Sequence, residues 1–385
     1  MREGWESARL GDVVRLHYGK ALREGDRRPG EVPVVGSSGP FAWHDTGNAG
    51  TGSRTVVVGR KGTAGSVTLI EGPAWATDTA YWAEPLDRVS LAFIRLLLEH
   101  ADLPHVSAQT GVPGLNRDRA YEIPVVIPPM SQQRRIVDLM TAVDDAFEST
   151  TQLADTAEVL WWELTRDLET ACDGLDLKPL GDISDIHGGL TKNKNDALRP
   201  DVIEAPYLRV ANVYRRYLNL DEVSTIVASQ KRIEGAILQP GDLLMNEGGD
   251  RDKLGRGAVW RGQIDGCTHQ NHVFRVRVTD AEFVPEFVSA WANSYGKKWF
   301  DINASQTTGI ASISKTTLSK FPVPVLPYAD QERWADLLDT LTTHEWELRV
   351  QLKNLRDLRS NLLTALLSGK HEIPDVYDEI MEVSS

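Results

Sequence analysis

The sequence has only two cysteines and no long apolar run. Cys172 and Cys267 stand far apart and in no paired pattern, which argues against a disulfide framework. No stretch approaches the roughly 20 apolar residues that a membrane-spanning helix needs. The opening string MREGWESARLGDVV lacks the apolar segment of a signal peptide. We therefore expect a cytoplasmic protein.

The sequence also lacks the motifs of a catalytic or cofactor-binding site. GRKGTAGS does not have the GxxxxGK[ST] spacing of a phosphate loop. CTHQNH offers Cys267, His269 and His272, but no second cysteine–histidine group could complete a zinc site. PDVIEAP contains Asp201 and Glu204 without the lysine of a nuclease site, and no NPPY or DPPY string occurs. We expect no catalytic residue, no metal and no cofactor in this chain.

The charge is unevenly distributed along the 385 residues, a length for which we expect at least two domains. The net charge is −13, yet residues 1–130 and 173–329 are each close to neutral. Residues 131–172 have 3 basic against 9 acidic side chains, and residues 330–385 have 6 against 12. The two long neutral segments can therefore concentrate their cations on one face, while the two acidic segments suit a protein partner.

Both acidic segments have apolar residues at alternating steps of four and three, the 3.5-residue period of a coiled-coil seam. The first seam is Ile136, Met140, Val143, Phe147, Thr150, Ala154, Ala157, Trp161, Leu164, Leu168 and Ala171. The second is Trp334, Leu338, Leu341, Glu345, Leu348, Leu352, Leu355, Arg359, Leu362 and Leu366. The pattern predicts two helices of about 40 residues, capped by Ser131 and Asp330 and stopped by Gly174 and Gly369. We expect these helices to pair antiparallel; the alternative is that each packs on its own neighbouring domain.

Three strings occur twice in the chain. LGDVVRLHYG returns as LGDISDIHGG, QTGVPGLNRDRAYEIP as TTGIASISKTTLSKFP, and IPVVIPPMSQQRRI as FPVPVLPYADQERW. An internal repeat is the strongest guide to architecture. It predicts the following order: a domain at 1–130, a helix at 131–172, a domain at 173–329, a helix at 330–370 and an acidic tail at 371–385. With antiparallel helices the two domains would be related by roughly 180°, a pseudo-twofold repeat.

The globular segments mix strand and helix patterns. RTVVVGRKGTAGSVTLI predicts two β-branched strands around a glycine-rich basic turn, and HVFRVRVT alternates with a period of two. VSLAFIRLLLEHA and PEFVSAWANSYGKKWF predict amphipathic helices. The predicted fold class is therefore α+β, with two mixed domains joined by two long antiparallel coiled-coil helices.

Basic loops and turns supply the candidate nucleic-acid contacts. Arg60, Lys61 and Thr63 lie in the glycine-rich turn, where cations can approach DNA phosphates or base edges; the alternative is a plain hairpin turn. YLRVANVYRRYLNL interleaves tyrosines with polar side chains that suit phosphate, guanine or adenine; the alternative is a solvated strand face. Its candidates are Arg209, Asn212, Arg215 and Arg216.

Further candidates come from other polar loops, including LTKNKNDALR and GGDRDKLGRG. They are Lys192, Asn193, Asn246, Gln109, Thr110, Thr307 and Thr308. Gln109, Thr110, Thr307 and Thr308 lie in matching glycine-bearing loops, for which a structural role is the alternative.

The order and duplication of these strings resemble the DNA-specificity subunit of type I restriction-modification enzymes. The resemblance covers nearly the whole chain and rests on LGDVVRLHYGKALR, LGDISDIHGGLTKNK, YLRVANV, GDLLMNEGG and the two proline–glutamine strings. Two features depart from the family pattern: the first copy has PVVGSSGPFAW where the second has YLRVANV, and the acidic tail is additional.

The resemblance implies a non-catalytic subunit in which two target recognition domains each read one half of an interrupted double-stranded DNA sequence. The helices would set the gap and dock two adenine-N6 methyltransferase subunits that carry S-adenosylmethionine. A restriction subunit that uses ATP and Mg would join them. Gln133, Arg135, Gln331 and Arg333, at the helix starts, are the predicted partner contacts.

Two other hypotheses remain open at this point. One is a scaffold or inhibitory module that binds a methyltransferase without reading DNA. The other is a stand-alone nuclease or modification enzyme with an unrecognised site.

Overall fold

The computed structural model of the protein describes residues 4–50, 52–106, 114–193, 201–307, 310–374 and 376–378. The chain forms two compact units: unit 1 is Met1–Ser149 with Leu352–Ser385, and unit 2 is Thr150–Gln351. Each of the two long helices contributes one part to each unit. The boundaries between the units therefore fall within the long helices.

Unit 1 combines short strands with helices. The strands are β1 (Glu6–Arg9), β2 (Val14–Tyr18), β3 (Val32–Gly36), β4 (Gly39–His44), β5 (Arg54–Gly59), β6 (Val67–Glu71), β7 (Trp75–Ala76), β8 (Ala80–Pro85) and β9 (Pro124–Ile127). The helices are α1 (Leu91–His100), α2 (Arg117–Tyr121), the first part of α3 (Met130–Ala171) and the last part of α9 (Tyr328–Leu367). One sheet has the order β2-β8-β5-β6, a second has the order β4-β3-β7, and β1 pairs with β9.

Unit 2 also combines short strands with helices. Its strands are β10 (Leu177–Pro179), β11 (Ser184–Gly188), β12 (Val202–Leu208), β13 (Ser224–Ser229), β14 (Leu243–Asn246), β15 (Gly248–Gly249), β16 (Gly257–Val259), β17 (Thr268–His269), β18 (Val273–Val278), β19 (Ser305–Thr307), β20 (Ile310–Ser312) and β21 (Pro322–Pro324). Its helices are the last part of α3, α4 (Leu180–Ile183), α5 (Gln230–Ala236), α6 (Pro285–Asn293), α7 (Tyr295–Asn303), α8 (Lys315–Ser319) and the first part of α9.

The strand order shows that the two domains have one topology. The order β11-β18-β14-β16 in unit 2 repeats β2-β8-β5-β6, and β13-β12-β17 repeats β4-β3-β7. In each three-stranded sheet the central strand pairs antiparallel with one neighbour and parallel with the other. Unit 2 also contains the sheet β15-β20-β19. The predicted duplication and the α+β mixture are therefore confirmed.

The repeated LGD string has the same contacts in both copies. The backbone N–H groups of Leu10 and Leu180 donate to the carbonyls of Ile123 and Phe321, both at 2.8 Å, and both leucine side chains are fully buried. The glycine after each leucine leaves no room for a side chain, because an added Cβ would lie 2.7 or 2.8 Å from a Cβ at the end of α2 or α8. Close packing against a short helix explains why these residues recur.

The long helices begin slightly earlier than the sequence predicts. Helix α3 starts at Met130 and α9 at Tyr328, so Ser131 and Asp330 lie inside the first turn instead of capping it. Gly174 and Gly369, just beyond the helix ends, have φ values of +77° and +69°, as expected for helix stops. Among helices of the described residues, none is long and apolar enough to cross a membrane.

Ion pairs join parts of the two long helices within each unit. In unit 1, Asp144 on α3 accepts hydrogen bonds from Arg359 on α9. In unit 2, the Arg349 side chain on α9 lies 2.9 Å from that of Glu158 on α3. Burial opposes ionisation of Asp144, but hydrogen bonds from Arg359 and Arg95 hold its pKa below the ordinary value. The charged residue that interrupts the predicted apolar seam at Arg359 is therefore paired.

Candidate nucleic-acid interface

The turn between β5 and β6 displays the cations that the sequence predicts for the first domain. The backbone N–H groups of Arg60 and Lys61 both donate to the carbonyl of Thr79, at 2.8 and 3.1 Å. The Thr63 hydroxyl lies 2.9 Å from that of Ser38, at the tip of the β3–β4 hairpin. Lys61 and Thr63 are exposed and Arg60 is half-buried. The turn is thus a fixed structure that presents positive charge to solvent.

An aromatic side chain that sequence reasoning missed lies beside this turn. The guanidinium carbons of Arg60 and Arg117 lie 5.0 and 4.9 Å from the ring centre of Tyr18, which is 52% exposed. Burial, followed by the neighbouring Tyr18, raises the pKa of Tyr81 to about 12. Two guanidiniums over one exposed ring form a surface that can bind phosphate and stack on a base. The alternation of VRLHY was the available signal for Tyr18.

A second aromatic surface continues from the same hairpin. Phe41 and Trp43, two residues apart on β4, are 57% and 61% exposed, and the guanidinium of Arg27 lies 5.2 Å from the Phe41 ring centre. A Cβ added to Gly36 would lie 3.4 Å from both the Phe41 ring and the Thr79 hydroxyl. Phe41 and Thr79, the residue that anchors the basic turn, therefore both lie beside Gly36. Alternation in GPFAWH was the sequence signal for this face.

The second domain has a basic turn at the same place in its topology. It connects β14 to β16 and contains Arg251, Lys253 and Arg256, within the string GGDRDKLGRG. The Arg256 guanidinium lies 5.0 Å from the ring centre of Tyr214, which stacks on Tyr217 at 4.9 Å. Burial lowers the pKa of Arg256. Both domains therefore place cations next to tyrosine rings between corresponding strands.

The string YLRVANVYRRYLNL, predicted to be a nucleic-acid face with a solvated strand face as the alternative, does not form one continuous strand. Strand β12 ends at Leu208, and a 3-10 helix, Val210–Asn212, follows it. Asn212 is buried, and its amide donates to the carbonyls of Asn219 and Glu222, each at 2.9 Å. This side chain stabilises the loop and is not free to read an adenine. Arg209, just after the strand, is half-buried.

Arg216 is also turned inward, contrary to its predicted DNA contact. Its side chain is 10% exposed, donates to Glu345 at 2.6 Å and lies 4.4 Å over the Trp161 ring. Burial lowers the pKa of Arg216, and Glu345 opposes that shift. The ion pair fastens the loop to α9 within unit 2.

Arg215 and Asn246 likewise make internal bonds. Arg215 donates to the carbonyls of Asn293 and Asp252 at 2.9 and 2.8 Å, and burial lowers its pKa to about 10. Asn246 is buried and donates to the carbonyl of Val213 at 2.9 Å. Asn246 is thus covered by tertiary packing, and the half-buried Arg215 is held by two backbone carbonyls, so both side chains make structural contacts here.

The remaining predicted DNA contacts lie in other loops and at the end of a strand. Lys192 and Asn193 are exposed, and the Lys192 ammonium lies 5.8 Å from the Tyr207 ring centre. Thr307 ends β19. The other three predicted residues, Gln109, Thr110 and Thr308, lie outside the described residues.

The four predicted partner contacts divide into buried and exposed side chains. Gln133 and Gln331 are buried and hydrogen-bonded within their own units, so they are corrected to structural residues. Arg135 is also buried, with 6% of its side chain exposed, and pairs with Asp378. Arg333, in contrast, is 84% exposed. Of the four, Arg333 alone is available to a partner in this structure.

The buried histidine and cysteines have structural environments. His269 donates from Nδ1 to the carbonyl of Val273 at 2.7 Å, and burial lowers its pKa to about 4. Burial raises the pKa of Cys172 to about 11 and that of Cys267 to about 12, so both thiols are unreactive. Within the described ranges, no group of three or more His, Cys, Asp or Glu residues is placed to hold a metal ion.

A duplicated α+β domain, with a basic turn and a following long helix in each copy, is the architecture of a DNA-specificity protein. The sequence model of the type I restriction modification DNA specificity domain matches residues 2–159 and 173–355. The chain therefore belongs to this family and contains its domain twice. The resemblance predicted from the repeated strings is confirmed.

Solved structures of similar fold cover nearly the whole chain. The S subunit of a type I restriction-modification system from M. genitalium is 15% identical, with a TM-score of 0.67 over 94% of this chain and 96% of its own. A chain from a structure on complex assembly and conformational transition of the type I R-M system is also 15% identical. Its TM-score is 0.52 over 95% and 98% of the two chains. At these identities the likeness supports the fold alone. A comparison with curated protein sequences found no match.

Proposed function

We propose that this chain is the non-catalytic DNA-specificity subunit of a type I restriction-modification enzyme, acting in the cytoplasm. Each domain would read one half of an interrupted double-stranded DNA target. The observation that carries the proposal is the repeated basic turn, which lies between β5 and β6 in one domain and between β14 and β16 in the other. Two non-identical readers in one chain suit a bipartite target with two different halves.

The long helices would pair as an antiparallel coiled coil and set the gap between the half-sites. The contacts of Asp144 with Arg359 and of Glu158 with Arg349 support this pairing, because the partner on α9 moves back along the chain as the residue on α3 moves forward. With a pseudo-twofold relation, the half-sites would lie about one DNA turn, roughly 34 Å, apart. The acidic helices would repel DNA and instead dock two adenine-N6 methyltransferase subunits.

The chemistry would come from the partners. Methyl transfer needs the S-adenosylmethionine of the methyltransferase subunits, and cleavage needs ATP and Mg in a restriction subunit. This chain would determine which DNA sequence is recognised and how far apart the two half-sites lie.

The test is to assemble the chain with its cognate methyltransferase and sequence the adenines that become methylated. Combined Arg60→Ala and Lys61→Ala is expected to relax one half-site, while the other half-site and the gap stay unchanged. Combined Arg251→Ala and Lys253→Ala is expected to relax the opposite half. Each lost phosphate contact should also lower the slope of log affinity against log salt by about 1.

A matched control is Arg88→Ala, which removes an exposed cation paired with Glu6 outside both turns. Assembly with the methyltransferase but no sequence preference would favour the scaffold hypothesis. Methylation or cleavage by the purified chain alone would refute the proposal.

A further inference from the structure

The start of α3 in unit 1 binds the chain's own C-terminal segment. The Gln132 side chain accepts a hydrogen bond from the Ile373 N–H at 3.2 Å and donates one to the Ile373 carbonyl at 2.9 Å. One amide therefore satisfies both backbone groups of one residue, as a neighbouring β-strand would. The Ile373 side chain is 7% exposed and belongs to the hydrophobic core of the unit.

Arg135 holds the same segment by charge. Its guanidinium donates to the Ile373 carbonyl at 3.1 Å and to both carboxylate oxygens of Asp378, at 3.1 and 2.7 Å. The hydrogen bond from Arg135 lowers the pKa of Asp378. Tyr377 packs against the core beside these contacts. Ile373, Tyr377 and Asp378 thus fix this segment by an apolar anchor, a backbone clamp and a bidentate carboxylate.

The same helix face recurs at the start of α9, 198 positions later, and within the described residues it is more exposed there. Arg333 corresponds to Arg135, yet its side chain is 84% exposed against 6%. Trp334 is half-buried where its counterpart Ile136 is buried, and Leu337 is 45% exposed. In the first copy Arg135 contacts the C-terminal segment directly, and Ile136 belongs to the same hydrophobic cluster as Ile373.

The rest of the second helix start keeps the geometry of the first. Gln331 is buried like Gln133, and Leu338 is buried like Met140. The two helix starts therefore differ in exposure on the face that contacts the C-terminal segment in unit 1. Asp330 stands where Gln132 stands in the first copy, so it can accept a hydrogen bond from a peptide N–H but cannot donate one to a carbonyl.

We propose that the face formed by Asp330, Arg333, Trp334 and Leu337 is a docking site for a peptide segment of a partner protein. The segment presents an apolar side chain to Trp334 and Leu337 and a carboxylate to Arg333, in the manner of Ile373 and Asp378. That the partner is the methyltransferase subunit rests on the proposed function. The site itself rests on the repeat and its two different states.

The probe is a fluorescent synthetic peptide with the sequence of residues 370–385, titrated into the full-length chain and followed by anisotropy. Saturable binding is expected, and Arg333→Gln and Leu337→Ser should each weaken it about tenfold, since a lost ion pair or anchor contributes on the order of 1.4 kcal/mol. Asp330→Gln gives the second copy the amide that Gln132 provides in the first copy, and it should tighten peptide binding. A gain of affinity cannot arise from misfolding. Arg356→Gln, an exposed residue farther along α9, is the matched control.

Three results would overturn the proposal. The first is no binding by either the wild-type chain or Asp330→Gln. The second is binding that Arg333→Gln and Leu337→Ser leave unchanged. The third is binding that depends on Arg135 instead, because the probe would then be displacing the resident segment. None of these measurements involves DNA or a methyltransferase, so failure here is distinct from failure of the proposed function.

Discussion

Gln331 accepts a hydrogen bond from the backbone N–H of Val284 at 3.0 Å, and this contact explains the doubled proline–glutamine string. The same amide donates to the carbonyls of Glu282 and Leu326, at 2.8 and 2.9 Å. Val284 is the residue that precedes α6. One side chain therefore fastens the start of the long helix both to the preceding strand segment and to a helix of its domain.

The first copy repeats the arrangement bond for bond. Gln133 accepts from the N–H of Ser90, the N-cap of α1, at 3.2 Å. It donates to the carbonyls of Arg88 and Pro128, at 2.7 and 3.0 Å. The prolines keep the preceding segment out of a helix, and the glutamine sets the angle at which the long helix leaves.

Replacing Gln331 by methionine should destabilise unit 2. The substitution keeps the volume but removes three hydrogen bonds and leaves buried backbone groups without partners, so we expect a loss of about 2–4 kcal/mol in the free energy of unfolding. Urea denaturation measures it. Gln351→Met, at an exposed position of the same helix, should change stability by less than about 0.5 kcal/mol. Equal effects of the two changes would contradict the clamp.

The buried pair of Arg216 and Glu345 predicts a stability effect in place of a DNA effect. Glu345→Leu leaves the Arg216 guanidinium buried beside Trp161 without its carboxylate, at an expected loss of about 3 kcal/mol. Adding Arg216→Met removes the unpaired buried charge and should recover most of the lost free energy of unfolding. The control is Glu347→Leu on the exposed side of α9.

DNA binding by the Arg216→Met variant provides a second test of the inward placement of Arg216. If Arg216→Met lowered the salt dependence of DNA binding while leaving unfolding unchanged, the inward placement of Arg216 would not describe the working protein. Thermal unfolding and a salt titration on the same preparations separate the two outcomes.

Phe41 is predicted to contribute stacking to DNA binding. An exposed ring next to a guanidinium can stack on a base, a contact worth about 1–3 kcal/mol. Phe41→Ala should therefore weaken binding about tenfold or more, with the salt slope unchanged, because no phosphate contact is lost. Trp346→Ala, at an exposed aromatic on α9, is the control. A changed slope for Phe41→Ala would point to electrostatics instead.

Acid should destabilise unit 2 through His269. Burial lowers its folded pKa to about 4, whereas the unfolded side chain titrates near 6.5. Between these values the unfolded chain binds more protons, so stability falls as pH falls, by about 3 kcal/mol in total. His269→Gln should flatten the stability profile between pH 7 and 4, measured by denaturant titration at each pH.

The carboxylate of Asp144 affects stability over a lower pH range than His269. Burial would raise the pKa of Asp144, but its arginine partners outweigh that effect and lower the pKa. The stability that ionised Asp144 contributes is therefore present above the ordinary carboxyl pKa and is lost only as the pH falls below it. A profile unaffected by His269→Gln would contradict the neutral, buried imidazole.

Much of the architecture follows from the sequence by itself. The duplication could be predicted from repeated strings, the long helices from a 3.5-residue period, and the β5–β6 hairpin from two β-branched runs around glycines. These features depend on neighbours along the chain, where local sterics and hydrogen bonding act. The cations at Arg60 and Lys61 could be identified for the same reason, since a glycine-rich turn between strands is exposed.

The tertiary structure alone decided which polar residues face inward. Arg215 and Arg216 stand next to each other in a string that reads as a basic surface, but carbonyls of distant residues and Glu345 surround them. Likewise, Arg135 and Arg333 occupy equivalent positions, but only Arg135 is buried, because Ile373 and Asp378 lie against it. Burial depends on what the rest of the chain places over a residue, and no local pattern contains that information.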